Sequence, residues 1–406
     1  MGLSSSKVFE AYASALPFGR PHPGLIAESG LLSSVPLPPL AYPRDGLFGG
    51  MVEGGKLSKL QLEGVLYAGQ HHQLILGDGR RAGFFIGDGA GVGKGRQIAG
   101  VIADNCARGR LQHVWFSTST DLYLDSQRDL MDLGCHLQVI DGCQALSAGA
   151  SKGLGLGSGL RRGVLFSTYA TLVSGSGGSC GGLTGRLAQV VGWCGGSCFE
   201  GCLVFDEAHK AKNAVLSSSS SGGGGLDEKA SSKVAAAVIA LQRALPKARV
   251  LYASATGVSD VANLVYADRL GLWGSGSPFP DFGAFEKFVE KRGLGGLEML
   301  AMEMKASGMY VARGLSWQGA DFATEVAPLS PAFALCYDAA CAFMVKLRAE
   351  LDAACRRTGA KQAKRSYWGL HVRFFKELCV AAKVRGAQRG RDQIKREREK
   401  NRDRQR

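Results

Sequence analysis

The sequence predicts an α/β fold, a parallel sheet with helices on both faces, followed by a mostly helical segment. Three observations predict it. Short apolar runs alternate with helix-period segments from residue 56 to about 275. A glycine-rich run, Gly87-Asp88-Gly89-Ala90-Gly91-Val92-Gly93-Lys94, directly follows the apolar run 82–86. An acidic pair, Asp206-Glu207, ends a second apolar run, 202–205, 112 positions after Lys94. Both polar elements thus fall at the carboxyl ends of expected strands, where parallel sheets bind ligands.

Taken in order, residues up to about Pro43 are rich in Pro, Gly and Ser and read as an extended lead-in. From 56 to 73, Leu57, Leu60, Val65 and Leu66 recur at helical spacing. After the 82–86 strand and the glycine run, 96–108 reads as a helix whose glycine-rich start leaves backbone amides free. A buried strand at 113–117 precedes a helix that Asp121 can cap and that runs to about Leu133. Strands follow at 137–140, 163–167, 202–205 and 249–253, with helices near 183–191, 233–245 and 258–270. Ser/Gly-rich stretches at 146–159 and 217–225 read as surface insertions. Beyond Gly271 the rhythm changes: helix at 298–307, strand-like 309–317, a long amphipathic helix at 331–355 and another at 365–383. The expected domains are a lead-in (1–55), an α/β lobe (56–275), a connecting segment (276–384) and a charged tail (385–406).

The net charge of +14 is uneven, because residues 385–406 alone hold a surplus of six positive charges. A basic balance suits phosphate backbones or acidic protein tails. No apolar run reaches the roughly 20 residues of a membrane span, so no membrane partner is expected. Met1-Gly2-Leu3-Ser4-Ser5-Ser6 fits a myristoylation pattern, but nothing else in the chain is membranous. The scattered cysteines read as reduced thiols. Cys180, Cys194, Cys198 and Cys202 lack the paired Cys-x2-Cys spacing of a zinc site, and His71-His72 reads as packed histidines.

The glycine run has the chemistry of a triphosphate cradle. Several backbone amides can converge on one anion only where glycines allow the turn, here Gly89, Gly91 and Gly93 around Val92. Lys94 adds a point charge for the β- and γ-phosphates. The hydroxyl that ordinarily follows this lysine and ligates Mg²⁺ is replaced by Gly95, then Arg96. Asp206 is the expected Mg²⁺ site and Glu207 the group that polarises the attacking water. His209 is expected to link that site to Ser254-Ala255-Thr256, which ends the next strand 48 residues on. Gln61, upstream, has an amide suited to an adenine edge.

The order Gln61, glycine loop, Asp206-Glu207-Ala208-His209, Ser254-Ala255-Thr256 resembles that of superfamily-two helicases and chromatin-remodelling motors. Within them the chain resembles the Strawberry notch family. The likeness is carried by residues 83–96, ending Lys94-Gly95-Arg96, and by 204–213, 245–250, 252–257 and 269–274. It implies a RecA-like P-loop NTPase lobe that binds ATP and Mg²⁺, with Ser254 and Thr256 as coupling residues. It also implies nuclear action on transcription through chromatin and signalling pathways, with nucleic acid and transcription regulators as partners. Family-like contacts to nucleic acid fall at Ser117-Thr118 and Ser167-Thr168, although hydroxyls at strand ends also serve as helix caps. Motors of this class carry a second lobe with an arginine finger. The sequence given reads as the first lobe plus connecting segment, so weak hydrolysis is expected of it. Gly95 also leaves open a non-catalytic scaffold that recruits chromatin partners.

Overall fold

The computed structural model describes residues 8–43, 54–142, 162–174, 179–180, 183–212, 216–217, 225–226, 232–256, 261–318, 326, 329–358 and 366–384. The myristoylation pattern, the 146–159 insertion, most of the 217–225 insertion and the 385–406 tail lie outside them.

Seven strands form the main sheet: β1 (Phe84–Ile86), β2 (Gln112–Ser117), β3 (Val139–Asp141), β4 (Gly163–Thr168), β5 (Cys202–Asp206), β6 (Arg249–Ala253) and β7 (Tyr310–Val311). Their spatial order is β7-β1-β6-β5-β2-β4-β3, and every pairing is parallel. The longer helices include α1 (Lys59–His71), α2 (Lys94–Ala107), α3 (Leu122–Asp132), α4 (Gly185–Cys194), α5 (Lys233–Ala244), α6 (Phe282–Glu290), α7 (Gly293–Ala306) and α8 (Pro331–Thr358).

Alternation along each strand sends side chains to two cores. Phe84, Ile86, Trp115, Val204 and Leu251 pack with α1, α2 and α3. Phe85, Phe116, Phe205 and Tyr252 pack on the other face with α4, α5 and α7. These four rings form a ladder across β1, β6, β5 and β2, with centroids 5.9–6.0 Å apart. Slipping one strand by one residue would send its rings to the wrong face, so the ladder fixes register.

The sheet extends further along the chain than the sequence indicated. Residues 309–317, read as one strand, split in two: Tyr310–Val311 joins β1, and Gly314–Leu315 pairs with Ile26–Ala27. The lead-in is not simply extended, since Phe9–Ala11 pairs antiparallel with Ile26–Ser29. The first compact unit therefore runs through Gln318, past residue 275. The expected helix at 258–270 is instead two short 3-10 turns, Val261–Leu264 and Asp268–Leu270, in its described part. Residues 319–406 form a second unit, in which α8 packs against a helix at 366–384 through Tyr337–Phe375 and a Tyr367 hydroxyl bond to the Met344 carbonyl.

Candidate active site

β1, β6 and β5 are adjacent and in register, so Ile86, Ala253 and Asp206 form one row at the carboxyl edge. The phosphate loop, Ser254-Ala255-Thr256 and the acidic run consequently emerge side by side. The Ser254 amide donates to the Ile86 carbonyl at 3.0 Å, which locks two of the three together.

The loop's shape needs its glycines. Gly91 and Gly93 lie at φ 84° and 91°, a region disfavoured for residues with a Cβ. A Cβ on Gly93 would sit 2.4 Å from Gln61 Nε2, and one on Gly91 2.5 Å from Leu315 Cδ1. Among the described residues the amides of Gly91, Gly93 and Lys94 have no hydrogen-bond acceptor. Three free donors beside one ammonium group, opening α2 at its N-terminus, fit an anionic phosphate chain. Gly89 differs, because its amide donates to the Arg313 carbonyl at 2.7 Å. Lys94 Nζ donates to the Asp88 carbonyl at 3.1 Å.

Several expected ligand residues are engaged elsewhere. Gln61 closes a capping box with Ser58 at the start of α1, and its Nε2 donates to the Val92 carbonyl at 3.1 Å. Its amide braces the loop rather than facing an open base site. The Val92 side chain is buried with Ile26 and Leu60. Arg96 turns to α3, pairing with Asp132 at 2.6 Å and Asp129 at 3.4 Å, so its guanidinium is not aimed at phosphate. Gly95 leaves room for Asp129, whose Oδ2 lies 2.7 Å from where a Cβ would be.

Asp206 accepts from Ser117 Oγ at 3.0 Å and from the Glu207 amide at 3.0 Å. Burial pushes its carboxyl above the usual range; the Ser117 bond and the nearby Lys94 charge pull it back. Strand register puts the loop that ends at Lys94 and the strand that ends at Asp206 on one sheet edge, with β6 between them, as a shared Mg²⁺–phosphate site requires. Glu207, at φ 49°, is the one non-glycine residue at positive φ among those described. Strain of this kind costs about 1–3 kcal/mol and concentrates at functional sites. His209 Nδ1 lies 3.2 Å from Glu207 Oε2 and 3.1 Å from Ser254 Oγ, and Ser254 Oγ lies 3.3 Å from Thr256 Oγ1. The expected connection from the acidic run to the serine–threonine pair is therefore a continuous chain of side chains.

The expected nucleic-acid contacts are mostly not at the surface. Ser117, Ser167 and Thr168 are buried, and Thr168 caps the short helix Tyr169–Leu172. Sequence gives residue type at a strand end but not which way the pleat turns it. Thr118 alone of the four is exposed. His71 and His72 bond the Gly83 and Val250 carbonyls at 2.7 and 2.9 Å, and Cys194 and Cys202 are buried in the core. Sequence reasoning placed Tyr169 with Ser167 and Thr168 in a nucleic-acid contact loop and missed that its hydroxyl donates to the Asp206 carbonyl at 2.8 Å; it also missed Arg313, discussed below. The available signal for Arg313 was an arginine inside the apolar run 310–315.

A parallel sheet with a glycine–lysine loop and an acidic strand end on one edge defines a P-loop NTPase lobe of RecA type. The family described as P-loop containing NTP hydrolase pore-1 matches residues 21–339. Strawberry notch homolog 2 of Homo sapiens is 43% identical over 387 residues, covering 93% of this chain and 26% of that protein. Strawberry notch homolog 1 of Gallus gallus is 43% identical over 396 residues, covering 95% and 31%. Protein strawberry notch of Drosophila melanogaster is 42% identical over 389 residues, covering 94% and 23%. The chain belongs to the Strawberry notch family of P-loop NTPases. It spans about a quarter to a third of the length of these relatives. A SWI2/SNF2 ATPase core from Sulfolobus solfataricus, solved with dsDNA, aligns over 78% of this chain and 56% of that one at 16% identity. Its TM-score of 0.40 is too low for that likeness to say what this chain binds.

Proposed function

We propose that this chain is the ATP-binding lobe of a helicase-like protein that acts on nucleic acid or chromatin in the nucleus and regulates transcription. The observation that carries the nucleotide reading is the edge itself: three free loop amides, Lys94 and the Asp206–Glu207 pair side by side. The nuclear role and the transcription-regulator partners rest on family membership.

In this reading the amides of Gly91, Gly93 and Lys94 hold phosphate oxygens, and Lys94 releases the Asp88 carbonyl to neutralise them. Asp206 would hold Mg²⁺ through water, and the bound ion would supply charge neutralisation to the phosphates. Glu207, oriented by its strained backbone and by His209, accepts the proton of the attacking water. Ser254 and Thr256 receive any shift of Glu207 through His209. Thr118, exposed after β2 on the far side of β5 from Ser254, is the remaining hydroxyl of the four for a nucleic-acid phosphate. Hydrolysis by these residues alone is slow, because Gly95 gives the metal no hydroxyl.

Titration with MgATP tests the site. Lys94→Ala is expected to weaken binding by roughly 10- to 150-fold, the worth of a hydrogen bond to a charged group; unchanged affinity would defeat the assignment. Gly95 is also the observation that favours a non-catalytic scaffold. Phosphate release that Glu207→Gln lowers by about 10²–10⁴-fold rules the scaffold out, whereas no release from the parent protein favours it.

A further inference from the structure

Asp88, inside the phosphate loop, is fully buried, and its carboxylate faces ionisable groups that the proposed chemistry does not use. Arg313 grips it as a fork: Nε donates to Oδ1 at 3.0 Å and Nη2 to Oδ2 at 2.8 Å. The Arg313 amide adds a bond to Oδ1 at 2.9 Å, and Gln97 Nε2 one to Oδ2 at 2.7 Å. In return, the Gly89 amide donates to the Arg313 carbonyl at 2.7 Å. Loop and residue 313 are thus joined through side chain and backbone, with donors on both sides.

The other arm of Arg313 reaches α1. Its Nη1 donates to Glu63 at 2.9 Å and to the Leu60 carbonyl at 3.0 Å. Glu63 also accepts from Tyr12 and Ser14 of the N-terminal segment. A second buried pair, Lys305 with Glu28 at 2.7 Å, also lies near the Tyr12 ring. Burying such ions costs several kcal/mol each, and apolar residues of similar volume often hold a fold as well or better. What a bidentate fork adds over apolar packing is a fixed geometry.

That geometry fixes a particular piece of chain. Arg313 lies two residues past β7; Gly314–Leu315 then pairs with Ile26–Ala27, and Leu315 abuts Gly91 of the loop. The first compact unit ends at Gln318. Residues 313–315 therefore line the phosphate loop, and the first compact unit ends three residues further on.

We propose that Arg313 is a positioning residue that latches the phosphate loop to the exiting segment, coupling nucleotide occupancy to the placement of residues 312–318. The proposal rests on the nucleotide reading given above. Loop amides that turn onto phosphates move Asp88 and Gly89, and the fork carries that movement to Arg313. By reciprocity, whatever displaces residues 312–318 changes nucleotide affinity by the same factor.

Hydrogen exchange on the whole chain, with and without MgATP, tests the latch without any substitution. Exchange at Gly89 and across 311–317 is expected to change by roughly 5- to 150-fold, the span of ordinary allosteric coupling. Nucleotide binding that leaves those amides unchanged overturns the latch alone; no nucleotide binding removes it together with the functional reading. A double-mutant cycle gives the second arm, using Asp88→Asn and Arg313→Lys, which preserve volume or charge. Each is expected to weaken MgATP binding about tenfold, with the pair no worse than either single, since both break one contact. Additive effects overturn the proposal, and so does a lowered melting temperature with unchanged affinity of the folded protein.

Discussion

The two edges of the main sheet handle buried polarity in opposite ways. At the amino edge, Arg269 is fully buried with no hydrogen-bonded carboxylate among the described residues. Its five donors go to the carbonyls of Arg81, Gln242, Leu245, Pro246 and Ala248, at 2.6–3.3 Å. His72 bonds the Val250 carbonyl, and His113 Nδ1 accepts the Cys202 amide at 3.0 Å. At the carboxyl edge the glycine loop keeps amides without acceptors, Glu207 sits in a strained conformation, and Asp206 is held above its usual pKa. At one edge the buried guanidinium and imidazoles bond mainly to the protein's own main chain; the other is left open to a ligand. Stability and function are thus separated along a strand only five residues long.

The largest effect expected from this contrast is at Arg269. Replacing it by Met strands several buried carbonyls, and the loss of stability should be about 3–5 kcal/mol by urea denaturation. MgATP affinity of the folded protein should not change, because the carboxyl edge does not use this residue. A matching loss of affinity would show that the two edges are not independent.

A smaller effect follows from the histidines. Burial pushes His72 down to about 3 and His113 to about 4, and lowers His71 as well. Below the unfolded value of about 6.5, the unfolded chain binds protons that the folded one refuses. Their stabilisation is therefore complete above about pH 6.5 and is lost as pH falls, by up to about 1.4 kcal/mol per pH unit for each histidine. Glu28, Asp104, Asp129 and Asp206, all raised by burial, act in the opposite sense at the acidic end. Comparing the parent with a His72 variant between about pH 5 and 7 cancels those carboxylates, which both chains share. His72→Gln should flatten the slope there by about one proton; an unchanged slope would mean that His72 does not stay neutral.

What the sequence revealed divides along similar lines. The carboxyl-edge chemistry was legible because each piece is local: glycines that a phosphate turn requires, a lysine after them, acids ending an apolar run. The strands from β1 to β6 were legible as short buried runs between helices. β7 was not, because two residues acquire a strand's identity only by pairing with Phe85 and Ile86. The 258–270 segment has helical spacing, yet tertiary partners claim its backbone: Gln242 Nε2 takes the Tyr266 carbonyl at 2.8 Å. Arg313 and Asp88 are 225 residues apart, and no local pattern pairs them. Ser117 was read as a nucleic-acid contact at a strand end; it is buried and its hydroxyl donates to Asp206.

The smallest expected effect probes how open the carboxyl edge is. Gly95→Ser restores a hydroxyl after Lys94. The new Cβ would meet Asp129 Oδ2 at 2.7 Å, but that atom ends a flexible side chain whose other oxygen faces Arg96 at 3.4 Å, so it can swing aside. Removing a helical glycine gains about 0.5–1 kcal/mol, and disturbing a partly exposed ion pair costs about 0–1 kcal/mol. Net stability should therefore stay within about 1 kcal/mol, as read by melting. The informative measurement is nucleotide affinity with and without Mg²⁺. If residue 95 faces the metal, the serine strengthens binding severalfold only when Mg²⁺ is present. Equal affinities for parent and variant would mean that Asp206 holds the metal without help from the loop, and that Gly95 makes room for Asp129 rather than marking a lost ligand.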